Sequence, residues 1–311
     1  MSSDTVADRV QRGNPQIHKE ARAAWAMSAP AIVLLLVFLV VPFVMAIGYS
    51  FTDQRLISNP NLGTQIVGLR NFTRLLQDST FHHAILNNFY FTLVVVPLQT
   101  AFALLLAMLV NLKLRAVNVF RTIYFSPVVV TMVVVAIVWY LLYNPQEGFI
   151  NQALKAVTFG AWPNVKWLSD TRFALPAIMV LSIWQGVGFQ MIIFLAGLQD
   201  IPEELYESGD VDGATRWQKF WFITLPQLRN TTIFVVISTS ILAFKLFHQV
   251  WVMTKGGPQE STMTAIVMMY RQGFQEGKIG YASGIAVIFF LIVLAVSMTQ
   301  RALMKEERAG R

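Results

Sequence analysis

Six times along this chain the sequence runs apolar for about 20 residues, with almost no charge inside the run. A helix rises about 1.5 Å per residue, so such a run crosses the roughly 30 Å hydrocarbon core of a bilayer. In lipid every backbone N–H and C=O must find its partner within the protein, and a continuous helix meets that demand alone. Composition agrees: 55% of the 311 residues are apolar and 13% charged, against about 25% charged in ordinary soluble domains. The reading is an all-α integral membrane protein of six transmembrane helices, at 25–51, 89–112, 122–143, 174–198, 231–252 and 281–303. These form one domain over 25–303, between a tail at 1–24 and a tail at 304–311.

With no cysteine, disulfides, thiolate-bound zinc and cysteine nucleophiles are excluded. The net charge of +7 would suit nucleic acid, but its carriers gather at the ends of the apolar runs, where they orient helices in a membrane. The expected surroundings are lipid, and no nucleic acid is expected as a partner. Arg9, Arg12, Lys19 and Arg22 precede a first run that is too long for a cleaved signal and has no A-x-A-like site after it. It reads as a retained helix. One set of loops and ends carries those four with Lys113, Arg115, Arg121, Arg216, Lys219, Arg229, Arg301, Lys305, Arg308 and Arg311; the opposite set carries Arg55, Arg70, Arg74, Lys155, Lys166, Arg172, Lys255, Arg271 and Lys278. Fourteen against nine places both termini and the 200–229 loop in the cytoplasm.

Prolines lie in or near several spans, at Pro30, Pro42, Pro97, Pro127 and Pro176. They read either as ordinary kinks or as broken helices around a transport path. Outside the spans, "LRNFTRLLQ" puts Leu69, Phe72, Leu75 and Leu76 on one helical face, which suits a short helix in the membrane interface. The stretch from Asn144 to Arg172, with Trp162 and Trp167 among polar residues, also reads as interfacial.

The stretch "ELYESGDVDGATRWQKFWFITLP", 204–226, breaks this apolar pattern. Six of the seventeen acids fall between Asp200 and Asp212, and Glu203, Glu207 and Asp210 share one helical face. After Gly213, Trp217, Phe220, Trp221 and Thr224 are spaced as an apolar face, with Arg216 and Lys219 opposite. Gly213 suits a turn between two helices, and Leu225-Pro226 ends the second. The spacing predicts a helix–turn–helix whose aromatics wedge against the membrane domain. Physics alone leaves two readings, a solvated connector or a docking surface for a basic cytoplasmic partner.

The stretch resembles the EAA loop of permease subunits of bacterial ABC importers. The pattern appears as Glu207-Ser208-Gly209, Asp212-Gly213-Ala214 and Ile223-Thr224-Leu225-Pro226. "IPEELYE", "ITLPQL", "GLRNFTRLL" and Gly256-Gly257-Pro258 in "VMTKGGPQESTM" resemble the carbohydrate-importer branch, of maltose and glycerol-phosphate type. Two alanines of the pattern are Ser208 and Gly209 here, and the glycine costs roughly 1 kcal/mol of helix propensity. The resemblance implies a multi-pass subunit of the bacterial inner membrane that pairs with a second permease. A dimeric ATPase would lie inside the cell, and a periplasmic or lipid-anchored solute-binding protein outside. It implies that Glu207, Ser208, Gly209, Asp212, Gly213, Ala214, Leu225 and Pro226 couple to the ATPase, with Glu207 paired to a basic residue there. ATP and Mg would belong to that partner, and no cofactor or metal to this chain. Consistent with this, the sequence has no G-x-x-x-x-G-K-[ST] phosphate loop, and "EGKIG" near Lys278 lacks its spacing. His82-His83 reads as a polar loop pair without metal-ligand spacing, and no nucleophile–base set supports an enzyme.

In "SIWQGVGFQ", Ser182, Gln185, Gly186 and Phe189 share one helix face. A polar, small and aromatic stripe there serves either helix packing or a pocket wall for a sugar. The resemblance to maltose-type permeases implies the second use, with Thr239, Ala243 and Leu246 facing it across the loop. Ala243 and Leu246 bring no side-chain hydrogen bond. Lys245 is the one clear charge inside a span and lies off the Thr239–Leu246 face, so snorkelling to the interface competes with a place on the path. An ion-gradient-driven transporter is the alternative; it would need acids within the spans, and all seventeen lie outside them.

Overall fold

The first span is a helix that changes pitch midway. In the structure, a computed structural model that describes residues 15–57, 63–112 and 117–303, α1 (Pro15–Leu35) passes through a π-helical turn at Leu36–Val40 into α2 (Val41–Ser50). Val41 N–H bonds to the Leu36 carbonyl, one residue further back than in an α-helix. The wide turn lies just before Pro42, whose ring would crowd the carbonyl four residues earlier in a regular helix. The same device recurs before Pro226, where Leu225 N–H bonds to the Phe220 carbonyl. Of the orienting basic residues, Arg9, Arg12, Lys113, Arg115, Lys305, Arg308 and Arg311 lie outside the described residues, as do the 304–311 tail and much of the 1–24 tail.

The remaining elements are α3 (Arg70–Gln77), α4 (Ser79–Asn111), α5 (Val117–Val129), α6 (Met132–Leu142), α7 (Phe149–Val157) and α8 (Ala174–Gln199). Then follow α9 (Glu203–Val211), α10 (Arg216–Lys219), a π-helical turn at Phe220–Thr224 and α11 (Leu225–Gln227). The chain closes with α12 (Arg229–Phe244), α13 (His248–Met253), α14 (Ala265–Tyr270), a π-helical turn at Arg271–Gln275 and α15 (Ile279–Leu303). Among the described residues, five helical segments are long and apolar enough to cross a membrane, and six if a bent pair counts as one. The architecture is the expected all-α membrane one.

Three spans depart from the predicted ones. The second starts at Ser79 rather than 89, because the Asp78 carboxylate accepts from Thr80 N–H and caps it. Phe81, Ala84, Asn88 and Phe91 are then buried. His82 and His83 therefore lie exposed in the first turns of α4, not in a loop. The third span is two helices bent by 99°. Pro127 leaves the Ile123 carbonyl without its N–H partner, Ser126 Oγ donates to that carbonyl instead (3.0 Å), and α5 ends two residues on. The fifth span is interrupted after Phe244, with consequences for the site.

The segments expected to be interfacial are more tightly joined to the bundle than free interfacial helices. On α3, Leu75 is buried and Phe72 half-buried, whereas Leu69 and Leu76 are exposed, so the predicted face is divided. Asn71 Nδ2 donates to the Ser50 and Thr52 carbonyls (2.9 and 2.8 Å), pinning α3 to the end of α2. In the 144–172 stretch, Trp167 Nε1 donates to Asn151 Oδ1 (2.9 Å), and its ring packs on Tyr143 and Phe173. Trp167 is a packing residue here.

Two of the three apolar clusters among the described residues run along α4, α8 and α12. One gathers Phe91, Val95, Ile178, Leu181, Ala243 and Leu246. The other gathers Ala103, Ala107, Met191, Phe194, Leu228 and Val235. Lipid is as apolar as leucine, so helices in a membrane are held by close packing rather than by leaving water. Glycines on α8 supply it: a Cβ on Gly188 would lie 2.1 Å from the Tyr124 carbonyl oxygen of α5, and one on Gly197 2.7 Å from Thr231 Oγ1 of α12.

Candidate translocation cavity and elbow

Between the two apolar clusters lies a polar layer. Gln99 on α4, Ser182, Gln185 and Gly186 on α8, and Thr239 on α12 line one cavity of about 380 Å³. Phe91, Val95, Met132, Leu242, Ala243 and Leu246 supply apolar wall, and Lys245, His248 and Gln249 close the α12 side. Amides and hydroxyls amid apolar wall suit the hydroxyls of a small polar solute, because each can donate or accept. The polar groups are partly committed to one another. Gln249 Nε2 donates to Ser182 Oγ (3.1 Å), and Ser182 Oγ donates to the Ile178 carbonyl (2.8 Å). Gln185 Nε2 donates to the Val130 carbonyl at the bend between α5 and α6 (3.3 Å). Gly186 serves packing and cavity alike: a Cβ there would lie 2.3 Å from Gln99 Nε2.

Gln190, almost fully buried and outside the lining, donates from Nε2 to Thr239 Oγ1, and among the described residues its Oε1 has no hydrogen-bond partner. Phe189, 49% exposed and a turn beyond Gly186 along α8, is not part of the lining, so the expected aromatic wall is absent from it.

Lys245 joins the cavity lining at the end of α12, just before the helix breaks. Thr239 and Lys245 are six residues apart, about 240° around an unbroken helix and so on different faces. The α-helix stops at Phe244, the backbone turns through Lys245–Phe247, and α13 resumes at His248. A break at membrane depth needs other partners for its freed carbonyls. Asn88 of α4, fully buried, donates from Nδ2 to the Phe244 carbonyl (3.0 Å) and accepts from Ala265 N–H at Oδ1 (2.9 Å). Thr264 Oγ1 donates to the Leu246 carbonyl (2.9 Å). Neither anchor is near Lys245 in sequence. Among the sequence-derived path residues, Ser182, Gln185, Gly186, Thr239, Ala243, Lys245 and Leu246 meet at this cavity. Gln99, Gln249 and Gln190 were missed, although each is a lone amide in an apolar run, a signal the sequence carries.

The chain between α8 and α12 is an elbow. Helix α9 ends in a Schellman motif: Gly213 takes φ +75°, its N–H bonds to the Asp210 carbonyl (3.1 Å), and Ala214 N–H bonds to the Gly209 carbonyl (2.8 Å). Thr215 and Gln218 then form a capping box that starts α10. The two arms meet at Gly209, where a Cβ would lie 3.2 Å from Ile223 Cδ1. The Tyr206 and Thr224 hydroxyls are 3.0 Å apart, and Lys219 Nζ pairs with Asp210. The aromatics do not form the predicted wedge. Trp217 is 72% exposed and Trp221 58%, while Thr224 and Gly209 are buried. The four-residue α10 is too short to turn the whole predicted face inward, and the π-helical turn after it shifts the register. Glu203, Glu204 and Glu207 are exposed, and Glu207 is in no ion pair among the described residues. Ser208 Oγ donates to the Glu204 carbonyl (2.8 Å), and Asp212 caps α9.

A family profile described as binding-protein-dependent transport system inner membrane component matches residues 84–306. A probable ABC transporter permease protein of Pyrococcus horikoshii is 35% identical over 268 residues, 86% of this chain and 90% of that one. The lactose transport system permease protein of Rhizobium radiobacter is 32% identical over 288 residues, 91% of this chain and 94% of the relative. Among solved structures, a chain of a bacterial alginate ABC transporter, in complex with an alginate pentasaccharide-bound periplasmic protein, superposes with a TM-score of 0.81. That match covers 93% of this chain and 96% of the other at 23% identity, and it shows the shared fold.

Proposed function

This chain belongs to the family of binding-protein-dependent transport system inner membrane components, and on that premise we propose that it is half of the translocation path of an ATP-driven sugar importer. A second permease completes the path, a dimeric ATPase grips the elbow, and a solute-binding protein delivers the sugar from outside. Both termini and the elbow face the cytoplasm. The lactose permease relative supports a sugar as cargo.

One observation carries the reading. The elbow is the direct continuation of the two helices that wall the cavity, α8 and α12. A push on the elbow is therefore a push on both walls. Its inner seam, Gly209 on Ile223 and Tyr206 on Thr224, makes it a stiff unit, so displacement passes on rather than dissipating. Its outer face offers exposed Glu203, Glu204 and Glu207 together with Trp217 and Trp221, charge for a basic residue and apolar surface to cover. ATP binding and hydrolysis are the partner's chemistry. Glu207, Ser208, Gly209, Asp212, Gly213, Ala214, Leu225 and Pro226 are assigned to this grip.

The test is Gly213→Pro in the reconstituted complex. Proline fixes φ near −65°, incompatible with the +75° of the turn. ATP-driven uptake is expected to fall by a factor of ten or more, through lost assembly with the ATPase or through hydrolysis without transport. Uptake at the unaltered rate, with hydrolysis still coupled, would rule out the elbow as transmission.

A further inference from the structure

We propose that the cavity takes an anionic carbohydrate, one bearing a carboxylate or a phosphate, and that Lys245 binds the anion with His248 beside it. The proposal rests on the sugar-import reading above and names the class of sugar.

The charge balance of the cavity carries it. Among the described residues its lining holds one lysine, Lys245, one histidine, His248, and no aspartate or glutamate. Lys245 is in no ion pair among the described residues. The other polar groups, Gln99, Ser182, Gln185, Thr239 and Gln249, are neutral and suit sugar hydroxyls. An ammonium within a membrane-length segment, here 229–253, calls for a compensating charge or water.

Lys245 lies at the exposed edge of the cavity, at the end of α12. The helix break that follows it is held by Asn88 and Thr264, two residues from other elements that occupy the freed carbonyls of Phe244 and Leu246. An anionic group on the cargo supplies the compensating charge at Lys245.

The complete complex, with both permeases, the ATPase and the binding protein in proteoliposomes, is given trigalacturonate, glucose 6-phosphate or maltotriose at equal concentration. The expected result is ATP-driven uptake of one anion at least tenfold above that of maltotriose; the first two probes separate a carboxylate cargo from a phosphate one. Lys245→Met is expected to cut uptake of that anion at least tenfold, and Lys245→Arg, which keeps the charge, less than threefold. Import of maltotriose in preference to both anions overturns the proposal while leaving the importer reading intact; an acid of the second permease would then neutralise Lys245. Anion uptake within twofold of normal in Lys245→Met overturns it as well. Should that variant not assemble, the panel on the unaltered complex still decides. ATP-driven uptake of no carbohydrate at all overturns the importer reading, and this one with it.

Discussion

Helices α8 and α12 leave the same elbow and wall the same cavity, yet they are built differently. Helix α8 runs unbroken for 26 residues, with Pro176 placed in its first turn where a missing N–H costs nothing. Helix α12 stops after 16 residues at Phe244. The continuous helix owes its form to its own sequence, and its glycines let neighbours approach. The interrupted one contains no proline or glycine at the break, "AFKLFHQV". Its form is imposed by Asn88 and Thr264 from elsewhere. One wall is thus specified locally and the other by long-range hydrogen bonds. Only the second brings a charge to the cavity.

This contrast can be broken from the α8 side first. Gly188→Leu places a side chain where a Cβ already lies 2.1 Å from the Tyr124 carbonyl oxygen. Overpacking of this kind costs about 3 kcal/mol or more, and α5 is expected to separate from α8, seen as loss of monodisperse protein after detergent extraction. Normal yield and melting would show that α8 does not depend on that contact. On the α12 side, Asn88→Ala leaves the Phe244 carbonyl and the Ala265 N–H without partners at a fully buried position. The expected loss is about 2–4 kcal/mol, with amide exchange around 244–265 accelerated more than in α8. Uniform acceleration across both helices would mean that the break has no separate hold. The smallest effect sharpens the edge of the cavity. Phe189→Ala removes a half-exposed ring outside the lining, and uptake is expected to stay within twofold. A tenfold drop would return Phe189 to the path.

The sequence was legible where local rules decide. The fourth span, expected at 174–198, is Ala174–Gln199. The elbow was legible too, because Gly213, Thr215 and Gln218 are local turn and cap chemistry. Ser182, Gln185 and Gly186 share a face by periodicity alone, and the cavity uses that face. What escaped depends on distant partners. By periodicity Lys245 lies off the Thr239–Leu246 face, which leaves snorkelling and the path as alternatives, yet it lines the cavity, and no residue within the run signals the break after it. Pro127 was visible, but its 99° outcome was not distinguishable from a modest kink. The expected wedge of Trp217 and Trp221 rests on a regular helical register that the π-helical turn at Phe220–Thr224 interrupts, and both rings are exposed.

The amino-terminal span stands apart from all of this. Its most apolar stretch has no buried residue, and its attachment is confined to one end. There Phe43 meets Phe290, Asn71 holds the last carbonyls, and Gly280 lets the Thr52 carbonyl approach α15. A rod moored by its tip adds little to the cohesion of the bundle, yet its shaft can pivot without disturbing the five spans that the family profile covers. It is an outrigger, moored to α15 and α3 near its end and leaving its most apolar stretch to face what surrounds the bundle.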